Sequence, residues 1–412
     1  MTSRILPLVL LSATVAMAAP MKFDFGSQKA GPGFTAVTPL DTFGPEKGYG
    51  FDLGFTPKAE DRGGDPVKGD FVTGEGGFYF SVALPPGNYE VTLLLGDPAG
   101  ESDTTVKAES RRLMLEHVMT AEQEQVTRKF TVNIRQPEYA GGRVGLKDRE
   151  KAYLHWDNKL TLEFNGPRPC VAAVEITPAP EATTVWLLGD STVTDQPFEP
   201  WNSWGQMFTR FFKPGVAVAN HAESGESLGS SLSARRVAKV LAELKKGDCV
   251  FIQFGHNDMK SKKPDALATY EENLGKLVRD IQAKGGVPVL VTSMERKGGV
   301  VNDTLAGYPD AVRRVAAKEK AQLIDLHAMS RQLYVGLGKN LGAAFQDGTH
   351  HNNFGSYEIA RCVVEGVRRS SLPLAAMLSD DVKPFDPSKP DAVADFKYAI
   401  SPLKDLRKPD GN

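Results

Sequence analysis

The sequence predicts a two-part chain, with an all-β sandwich over residues 21–178 and an α/β domain with a parallel sheet over residues 183–375. Two observations support this prediction. In the first half, short alternating runs of apolar residues are separated by Gly and Pro, as in antiparallel strands joined by turns. From Val185 onward, continuous apolar runs alternate with helix-like stretches, which is typical of parallel strands covered by helices on both faces.

The strands of the first half are predicted from runs with a period of two residues. They are Phe78–Val82, Tyr89–Leu93, Phe130–Ile134, Leu160–Phe164 and a closing strand Val171–Ile176. Many short strands with turn residues between them, such as Pro85–Asn88, indicate a β-sandwich. The Pro-rich segment Pro178–Ala182 is predicted to be a short, stiff linker.

The second half is predicted to alternate strands and helices. The strands are Val185–Leu188, Val216–Ala219, Cys249–Phe254, Val287–Thr292 and Leu323–Leu326, and the helices are Ser231–Leu244, Leu267–Ala283, Asp310–Lys320 and Tyr357–Arg369. Residues 376–412 form a Pro- and Asp-rich C-terminal extension for which we expect irregular structure.

The N-terminus has the pattern of a signal peptide, residues 1–18. Arg4 precedes an apolar run that ends in Ala16-Met17-Ala18, so cleavage is expected after Ala18 and the protein is expected to be secreted or periplasmic. A buried N-terminal helix is the alternative, but Pro7 and the absence of an amphipathic period disfavour it. The apolar run is too short for a membrane anchor.

Composition excludes several partners. With 49 basic and 51 acidic residues, the net charge is −2, which argues against nucleic acid or an anionic membrane as a partner.

Cys170, Cys249 and Cys362 form neither a disulfide framework nor a metal-binding spacing, and Cys249 and Cys362 lie in core-like runs. The oligomeric state is left open by the sequence.

Three polar clusters follow predicted strands, namely Gly189–Thr192, Asn220–Ser227 and Gly255–Asp258. A fourth, Asp347–His350, comes just before the final helix. In an open parallel sheet, the ligand site lies beyond the carboxyl ends of the strands. We therefore expect these clusters to meet in one site.

The residue types in these clusters suit acyl transfer. A serine hydroxyl needs a base, and the base needs an orienting acid, which are the roles predicted for Ser191, His350 and Asp347. The negative oxygen of the tetrahedral intermediate needs hydrogen-bond donors. The backbone amides of Ser191 and Gly225 and the side-chain amide of Asn257 are the predicted donors.

Four blocks in this order, Gly-Asp-Ser, Gly, Gly-x-Asn-Asp and Asp-x-x-His, resemble the SGNH (GDSL-type) hydrolase superfamily over about Val185 to Arg369. Within it, the sequence resembles the rhamnogalacturonan acetylesterases, carbohydrate esterase family twelve. The resemblance implies a flavodoxin-like three-layer fold, no metal or other cofactor, and removal of acetyl groups from pectic polysaccharide. It gives Ser191, Asp347 and His350 the triad roles and Ser191, Gly225 and Asn257 the oxyanion hole. The first half loosely resembles galactose-binding-like domains.

Two other sites are weighed against this one. Gly225-Glu226-Ser227-Leu228-Gly229 matches a nucleophile elbow with Ser227 as nucleophile, but polar residues separate it from its strand. A metal site at Asp347, His350 and His351 lacks a third ligand cluster. Asp190 is expected to brace the nucleophile loop.

An acetylated polysaccharide or oligosaccharide is the expected substrate. Trp201, His221, Glu223 and His351 are predicted to contact it, because aromatic and polar side chains together suit sugar rings. The alternative for Trp201 is packing in the core. A lipase-like or thioesterase activity on another small ester, and a catalytically inactive carbohydrate-binding protein, remain as alternative functions.

Overall fold

The structure is a computed structural model that describes residues 19–27 and 29–410. The predicted signal peptide, residues 1–18, lies outside the described residues. Within the described part of the chain, we find no helix with the length and apolar character needed to cross a membrane.

The first half folds as two packed β-sheets. Its strands are β1 (Met21–Phe25), β2 (Thr35–Val37), β3 (Tyr49–Asp52), β4 (Lys58–Asp61), β5 (Asp70–Thr73), β6 (Phe78–Ala83), β7 (Gly87–Leu95), β8 (Ser102–Ala108), β9 (Arg112–Thr120), β10 (Val126–Ile134), β11 (Glu138–Tyr139), β12 (Gly142–Arg143), β13 (Lys159–Arg168) and β14 (Cys170–Pro178). One sheet has the order β10-β7-β14-β1-β2, with β5 also on β14 and β4 on β5, and the other has the order β3-β6-β13-β8-β9. The short strands β11 and β12 belong to neither sheet and pair with each other.

Alternation along the strands produces the core of this sandwich. In β7, Tyr89, Val91, Leu93 and Leu95 are buried, while the residues between them are partly exposed. Because successive side chains of a strand point to opposite faces, this pattern directs one face toward the facing sheet. The predicted all-β sandwich is confirmed.

The second half is a parallel sheet between two layers of helices. Its strands are β15 (Thr183–Gly189), β16 (Val216–Asn220), β17 (Cys249–Gln253), β18 (Val287–Val291) and β19 (Gln322–Ile324), in the order β16-β15-β17-β18-β19. Its helices are α1 (Trp204–Phe208), α2 (Leu228–Ser233), α3 (Arg236–Glu243), α4 (Ala266–Ala283), α5 (Tyr308–Glu319), α6 (Leu326–Leu337) and α7 (Asn353–Arg369). This strand order is flavodoxin-like, as expected.

Two helical predictions need correction. The single helix predicted over Ser231–Leu244 is two helices, α2 and α3, because Arg235 is left-handed (φ 62°) and the carbonyl of Ala234 accepts a hydrogen bond from the amide of Gly145 in the sandwich. Helix α6 is absent from the predicted elements. Its first residue, Leu326, is the last residue of the predicted strand Leu323–Leu326. The carboxylate of Asp325 caps the N-terminus of α6 by accepting a hydrogen bond from the amide of Ala328 (3.3 Å).

The two halves are joined by the β8–β9 hairpin of the sandwich, whose tip enters the α/β domain. The guanidinium of Arg111, at this tip, is buried and donates to the carbonyls of Gln196 and Trp201 (3.2 and 2.9 Å). It also forms an ion pair with the buried carboxylate of Glu199 (2.6 Å) and donates to Oδ1 of Asn353 (3.2 Å), the first residue of α7. One sandwich side chain thus contacts both the loop after β15 and the last helix.

The C-terminal extension contains no α-helix or β-strand longer than a single bridge in its described part, residues 376–410. Residues 399–410, called the C-terminal strap below, run along the junction of the two halves. Glu199 donates its amide to the carbonyl of Leu403 (3.0 Å) and accepts from the amides of Asp405 (3.0 Å) and Ser401 (3.1 Å). The strap is therefore held by the same residue that pairs with Arg111.

Replacing Arg111 with Met should lower the free energy of unfolding by about 3–5 kcal/mol, because Glu199 would remain buried without its cation. Urea denaturation of the whole chain measures this loss. Arg128→Met is the matched control, since the exposed guanidinium of Arg128 contacts the carbonyl of Thr127, and we expect a change within about 0.5 kcal/mol. Equal losses in the two variants would contradict the role of Arg111 at the junction.

Candidate active site

The candidate site lies at the carboxyl ends of β15, β16 and β17. These three strands are neighbours in the sheet, with β15 at the point where the strand order reverses. The loops that follow them begin at Asp190, His221 and Phe254. Because parallel strands end at the same edge, the tertiary structure brings together clusters that are far apart in sequence.

The loop after β15 is braced by the buried carboxylate of Asp190. Its Oδ1 accepts from the amide and the hydroxyl of Thr192 (2.9 and 2.7 Å), and its Oδ2 lies 3.2 Å from Nδ1 of His256. Burial raises the pKa of Asp190, but the contacts with His256 and Thr192 outweigh burial and hold this pKa below its usual value. Asp190 is therefore an anion that shapes the loop, as expected.

Ser191, His350 and Asp347 form one hydrogen-bonded chain. The Oγ of Ser191 lies 2.8 Å from Nε2 of His350, and Nδ1 of His350 lies 2.8 Å from Oδ2 of Asp347. The Oδ1 of Asp347 accepts from the amides of Thr349 and His350 (both 2.7 Å), so the segment forms the tight turn that the three-residue spacing predicted. Burial raises the pKa of Asp347, but these bonds outweigh it and lower the pKa well below its usual range.

The start of α7 positions the imidazole of His350. Asn352 caps this helix by accepting from the amide of Gly355 (3.0 Å), and it follows His350 by two residues. The edge of the Trp201 ring also packs on the imidazole, with ring centroids 5.8 Å apart and planes at 85°. The imidazole is thus held by a carboxylate on one side and an aromatic ring on another.

The predicted oxyanion donors are held beside the nucleophile by side-chain amides. Gln196 donates Nε2 to the carbonyl of Ser191 (2.8 Å) and to Oγ of Ser224 (3.4 Å), the residue before Gly225. Asn257 donates Nδ2 to the carbonyl of Glu226 (2.9 Å), the residue after Gly225. Within residues 19–27 and 29–410, the amides of Ser191 and Gly225 donate to no other protein group.

Ser227, the alternative nucleophile, is a helix cap. Its hydroxyl accepts from the amide of Ser230 (3.1 Å), which satisfies an amide at the N-terminus of α2. The structure therefore gives Ser227 a local structural role and places no described imidazole in hydrogen-bond contact with it.

A cleft of about 380 Å³ opens beside the catalytic chain. Its lining includes the aromatic side chains of Tyr153, Phe198 and Trp201 and part of the C-terminal strap. The complete lining is Arg149, Ala152, Tyr153, Thr194, Asp195, Gln196, Pro197, Phe198, Trp201, Glu223, Ser224, Asp405, Arg407, Lys408, Pro409 and Asp410. Three parts of the chain, namely the sandwich, the α/β domain and the strap, form this cleft.

Two of the four predicted substrate contacts line the cleft. Trp201 is 8% exposed and lies on the wall nearest His350. Glu223 also lines the cleft, and its carboxylate is bound by the guanidinium of Arg149 (2.6 Å). Burial, and then the neighbouring Glu150, raise the pKa of Glu223.

The other two predicted contacts, His221 and His351, do not line the cleft. His221 is fully buried against the rings of Trp156 and Trp186, at 5.5 and 5.4 Å, and burial lowers its pKa well below the usual value. His351 is buried against Phe345, with ring centroids 4.1 Å apart, and burial lowers its pKa to about 3. Neither imidazole is accessible to a substrate, because aromatic side chains cover both.

Sequence reasoning missed the cleft residues outside the motifs. Arg149 and Tyr153 belong to a loop of the sandwich, and Arg407, Lys408 and Asp410 belong to the strap. They have no periodic pattern and no motif, so only the tertiary structure assigns them to the site.

One buried cluster has ligand atoms close enough to hold a metal ion, namely Glu150, His155 and Glu223. Its carboxylates are already bound by cations: Glu150 accepts from Arg236 (2.6 Å), and Glu223 accepts from Arg149. A metal cation would have to compete with both guanidinium groups. We therefore assign no metal to this cluster. A second cluster, Glu295, Asp303 and His327, includes an exposed carboxylate.

Comparisons with known proteins relate both halves of the chain to known families. Residues 187–356 match the GDSL-like lipase/acylhydrolase family, and residues 21–138 match the β-agarase/YXIM esterase-like, galactose-binding domain-like family. The rhamnogalacturonan acetylesterase RhgT of Bacillus subtilis (strain 168) is 36% identical over 212 residues, which are 46% of this chain and 91% of RhgT. The uncharacterized esterase YxiM of the same organism is 27% identical over 370 residues, which are 85% of this chain and 91% of YxiM. A crystal structure of YxiM aligns with a TM-score of 0.46 at 25% identity, over 86% of this chain and 99% of that one.

Proposed function

The chain belongs to the GDSL-like lipase/acylhydrolase family and is a carboxylic ester hydrolase, and we propose that it is an exported serine esterase that removes O-acetyl groups from pectic polysaccharide of the rhamnogalacturonan type. The observation that carries the chemistry is the hydrogen-bonded chain Ser191–His350–Asp347. The name of the relative RhgT, a rhamnogalacturonan acetylesterase, supports the substrate. The N-terminal pattern over residues 1–18 supports export.

In the proposed reaction, Ser191 Oγ attacks the carbonyl carbon of the acetyl ester while His350 Nε2 takes its proton. The tetrahedral intermediate collapses, His350 returns the proton to the departing sugar oxygen, and an acetyl group remains on Ser191. Water then attacks this ester with His350 again as base, which releases acetate and restores the hydroxyl. Asp347 holds the imidazole through Nδ1 and stabilises the imidazolium that forms in both steps.

The proposed oxyanion hole consists of the amides of Ser191 and Gly225 and the Nδ2 group of Asn257. An Asn side chain has two N–H donors, and one of them is used by the carbonyl of Glu226. The Nζ of Lys260 donates to Oδ1 of Asn257 (2.9 Å), which fixes the orientation of the amide. The second Nδ2–H is then available for an oxyanion.

The lining of the cleft favours a glycan over the lipase-like or thioesterase alternative. Charged side chains such as Arg149, Arg407 and Asp410 line the same cleft as the aromatic rings. Aromatic faces stack on sugar rings and charged groups bond their substituents, whereas a long acyl chain needs an apolar surface. The inactive binding-protein alternative does not account for the intact Ser–His–Asp chain.

Ser191→Ala should reduce kcat for aryl acetate hydrolysis by roughly 10⁶-fold, because the nucleophile is lost. Ser227→Ala is the matched control: it should lose about 1 kcal/mol of stability as a helix cap and keep most of its activity. Aryl acetate turnover and thermal unfolding are measured for both variants. The reverse order of activities would make Ser227 the nucleophile.

Asn257→Ala should lower kcat by roughly 10²–10³-fold with a smaller effect on KM, because the amide bonds the oxygen most strongly once it becomes negative. Steady-state kinetics with an aryl acetate separate the two constants. An effect on KM alone would assign Asn257 to substrate binding only.

Acetylated rhamnogalacturonan fragments should be hydrolysed with a higher kcat/KM than simple acetates or octanoyl esters. An acetyl group offers little surface, so remote sugar contacts must supply the binding energy that accelerates the reaction. Trp201→Ala should remove much of this advantage. Acetate release from a panel of acetylated pectins, xylans and aryl acetates is the measurement. Faster turnover of octanoyl esters would support the lipase-like alternative instead.

A further inference from the structure

His256 lies between the loop after β15 and the loop after β18, and both of its ring nitrogens have a partner. Its Nδ1 lies 3.2 Å from Oδ2 of Asp190, the residue before Ser191. Its Nε2 lies 2.9 Å from the carbonyl oxygen of Met294, beyond the end of β18. The next residue in the chain is Asn257, a proposed oxyanion donor. The imidazole therefore connects the loop of the nucleophile to the segment that carries an oxyanion donor.

The partners of His256 require a hydrogen-bond donor at each ring nitrogen. The carbonyl oxygen of Met294 can only accept, so Nε2 must carry a proton. An ionised carboxylate also only accepts, so Nδ1 must carry a proton when Asp190 is an anion. A neutral imidazole has one N–H group and would point a lone pair at one of these two oxygen atoms. Only the doubly protonated, positively charged ring donates to both.

Asp190 has the contacts of an ionised carboxylate. Its Oδ1 accepts from the amide and the hydroxyl of Thr192 (2.9 and 2.7 Å), and its Oδ2 faces the ring of His256. Burial raises the pKa of Asp190, but the charge of His256 and the hydrogen bonds from both neighbours outweigh burial and lower this pKa. The proton between the two side chains is therefore assigned to the imidazole.

Both members of this pair are buried, with His256 1% exposed and Asp190 fully enclosed. Loss of one partner would leave the other as an unpaired charge away from water, which is strongly unfavourable. An unpaired Asp190 anion would also stand one residue from Ser191, where the reaction develops a negatively charged oxygen. The positive ring thus compensates a negative charge that would oppose the transition state.

Other charged and titratable groups face the pair from the surrounding elements. Arg296, after β18, donates Nη2 to the carbonyl of His256 (3.2 Å). The groups on which the charge of Asp190 or His256 acts are Asp258, Lys260, Tyr270, Arg296 and His351. Among the described residues, Asp190 supplies the carboxylate that is in hydrogen-bond contact with the ring of His256. The charge of the ring therefore depends on Asp190.

We propose that His256 is a positively charged positioning residue, whose ion pair with Asp190 holds the loop after β15 against the segment of Asn257. The inference rests on the proposed reaction at Ser191 and does not depend on the pectic substrate. The pair fixes the nucleophile relative to the donor that bonds the developing oxyanion. Such a constraint acts on the orientation of reacting groups, so we expect it to affect kcat more than KM.

Nitrogen NMR of the unchanged protein measures the protonation of His256 directly. At about pH 8, where the side chain of a solvated histidine is neutral, both ring nitrogens of His256 should carry protons. Their signals are assigned by their loss in His256→Asn. Asp190→Asn should leave one ring nitrogen without a proton at the same pH, because the carboxylate is gone. A single protonated nitrogen in the unchanged protein would overturn the inference.

Two substitutions separate positioning from the filling of space. The amide of Asn can replace Nδ1 and that of Gln can replace Nε2, so His256→Asn keeps a donor for Asp190 and His256→Gln keeps one for Met294. With an aryl acetate, His256→Gln should lower kcat by roughly 10²-fold, the cost of a misplaced catalytic group, with little change in KM. His256→Asn should keep roughly tenfold more activity, the effect of one hydrogen bond to a charged group. Since Gln is closer to His in size, a role in packing alone predicts equal activities or the reverse order, and either result would refute the inference.

His117→Asn is the matched control. His117 has the same kinds of partner on the sandwich, with Nδ1 3.0 Å from Asp103 and Nε2 3.0 Å from the carbonyl of Lys397. Asn tolerates its left-handed backbone (φ 46°), and kcat should not change. A fall in kcat as large as that of His256→Gln would show that loss of any such pair acts through stability, against the positioning role. If Ser191→Ala stays active, the proposed reaction fails, and the NMR result still confirms or refutes the charged pair.

Discussion

The ion pair between Arg111 and Glu199 is the interaction on which the rest of this structure depends. Arg111 comes from a hairpin of the sandwich, and Glu199 lies in the loop after β15, which also contains Ser191. Both are buried, so each needs the other to remain charged away from water. The same two side chains also contact Asn353 at the start of α7 and Ser401 of the strap. One buried pair thereby sets the relative position of four segments.

A second buried charge contact holds the other side of the nucleophile loop. The Oδ2 of Asp195 lies 3.1 Å from Nε of Arg112, and its Oδ1 accepts from Nδ2 of Asn220 (2.8 Å) at the end of β16. Asn220 also donates to the carbonyl of Val193 (2.6 Å). The loop after β15 is therefore held by the sandwich and by the neighbouring strand. This rigidity suits a reaction in which Ser191 must stay within hydrogen-bond distance of His350.

The cleft is composite, because its lining comes from three parts of the chain. The α/β domain holds the whole Ser–His–Asp chain and the three proposed oxyanion donors. The sandwich and the strap add Arg149, Tyr153 and the charged wall of residues 405–410. The galactose-binding-like domain thus lies at the cleft itself, where its residues are within reach of a substrate. Changes in these added segments can alter substrate preference while the catalytic geometry is retained.

The sequence alone determined the two-part fold, because strand periodicity is local. It also predicted that Ser191, Asp347 and His350 meet, because Ser191 directly follows a strand and the order of the motifs supplies a base and an acid for it. It did not determine which way a side chain points. His221 and His351 lie in segments next to the site, but aromatic rings cover their imidazoles. The residue type of a histidine does not indicate whether neighbouring rings will bury it. The strap has neither periodicity nor motif, so its contacts with Glu199 and Asp347 exist only once the chain has folded. Local patterns record short-range backbone geometry, whereas burial and long-range charge contacts are decided by the tertiary structure.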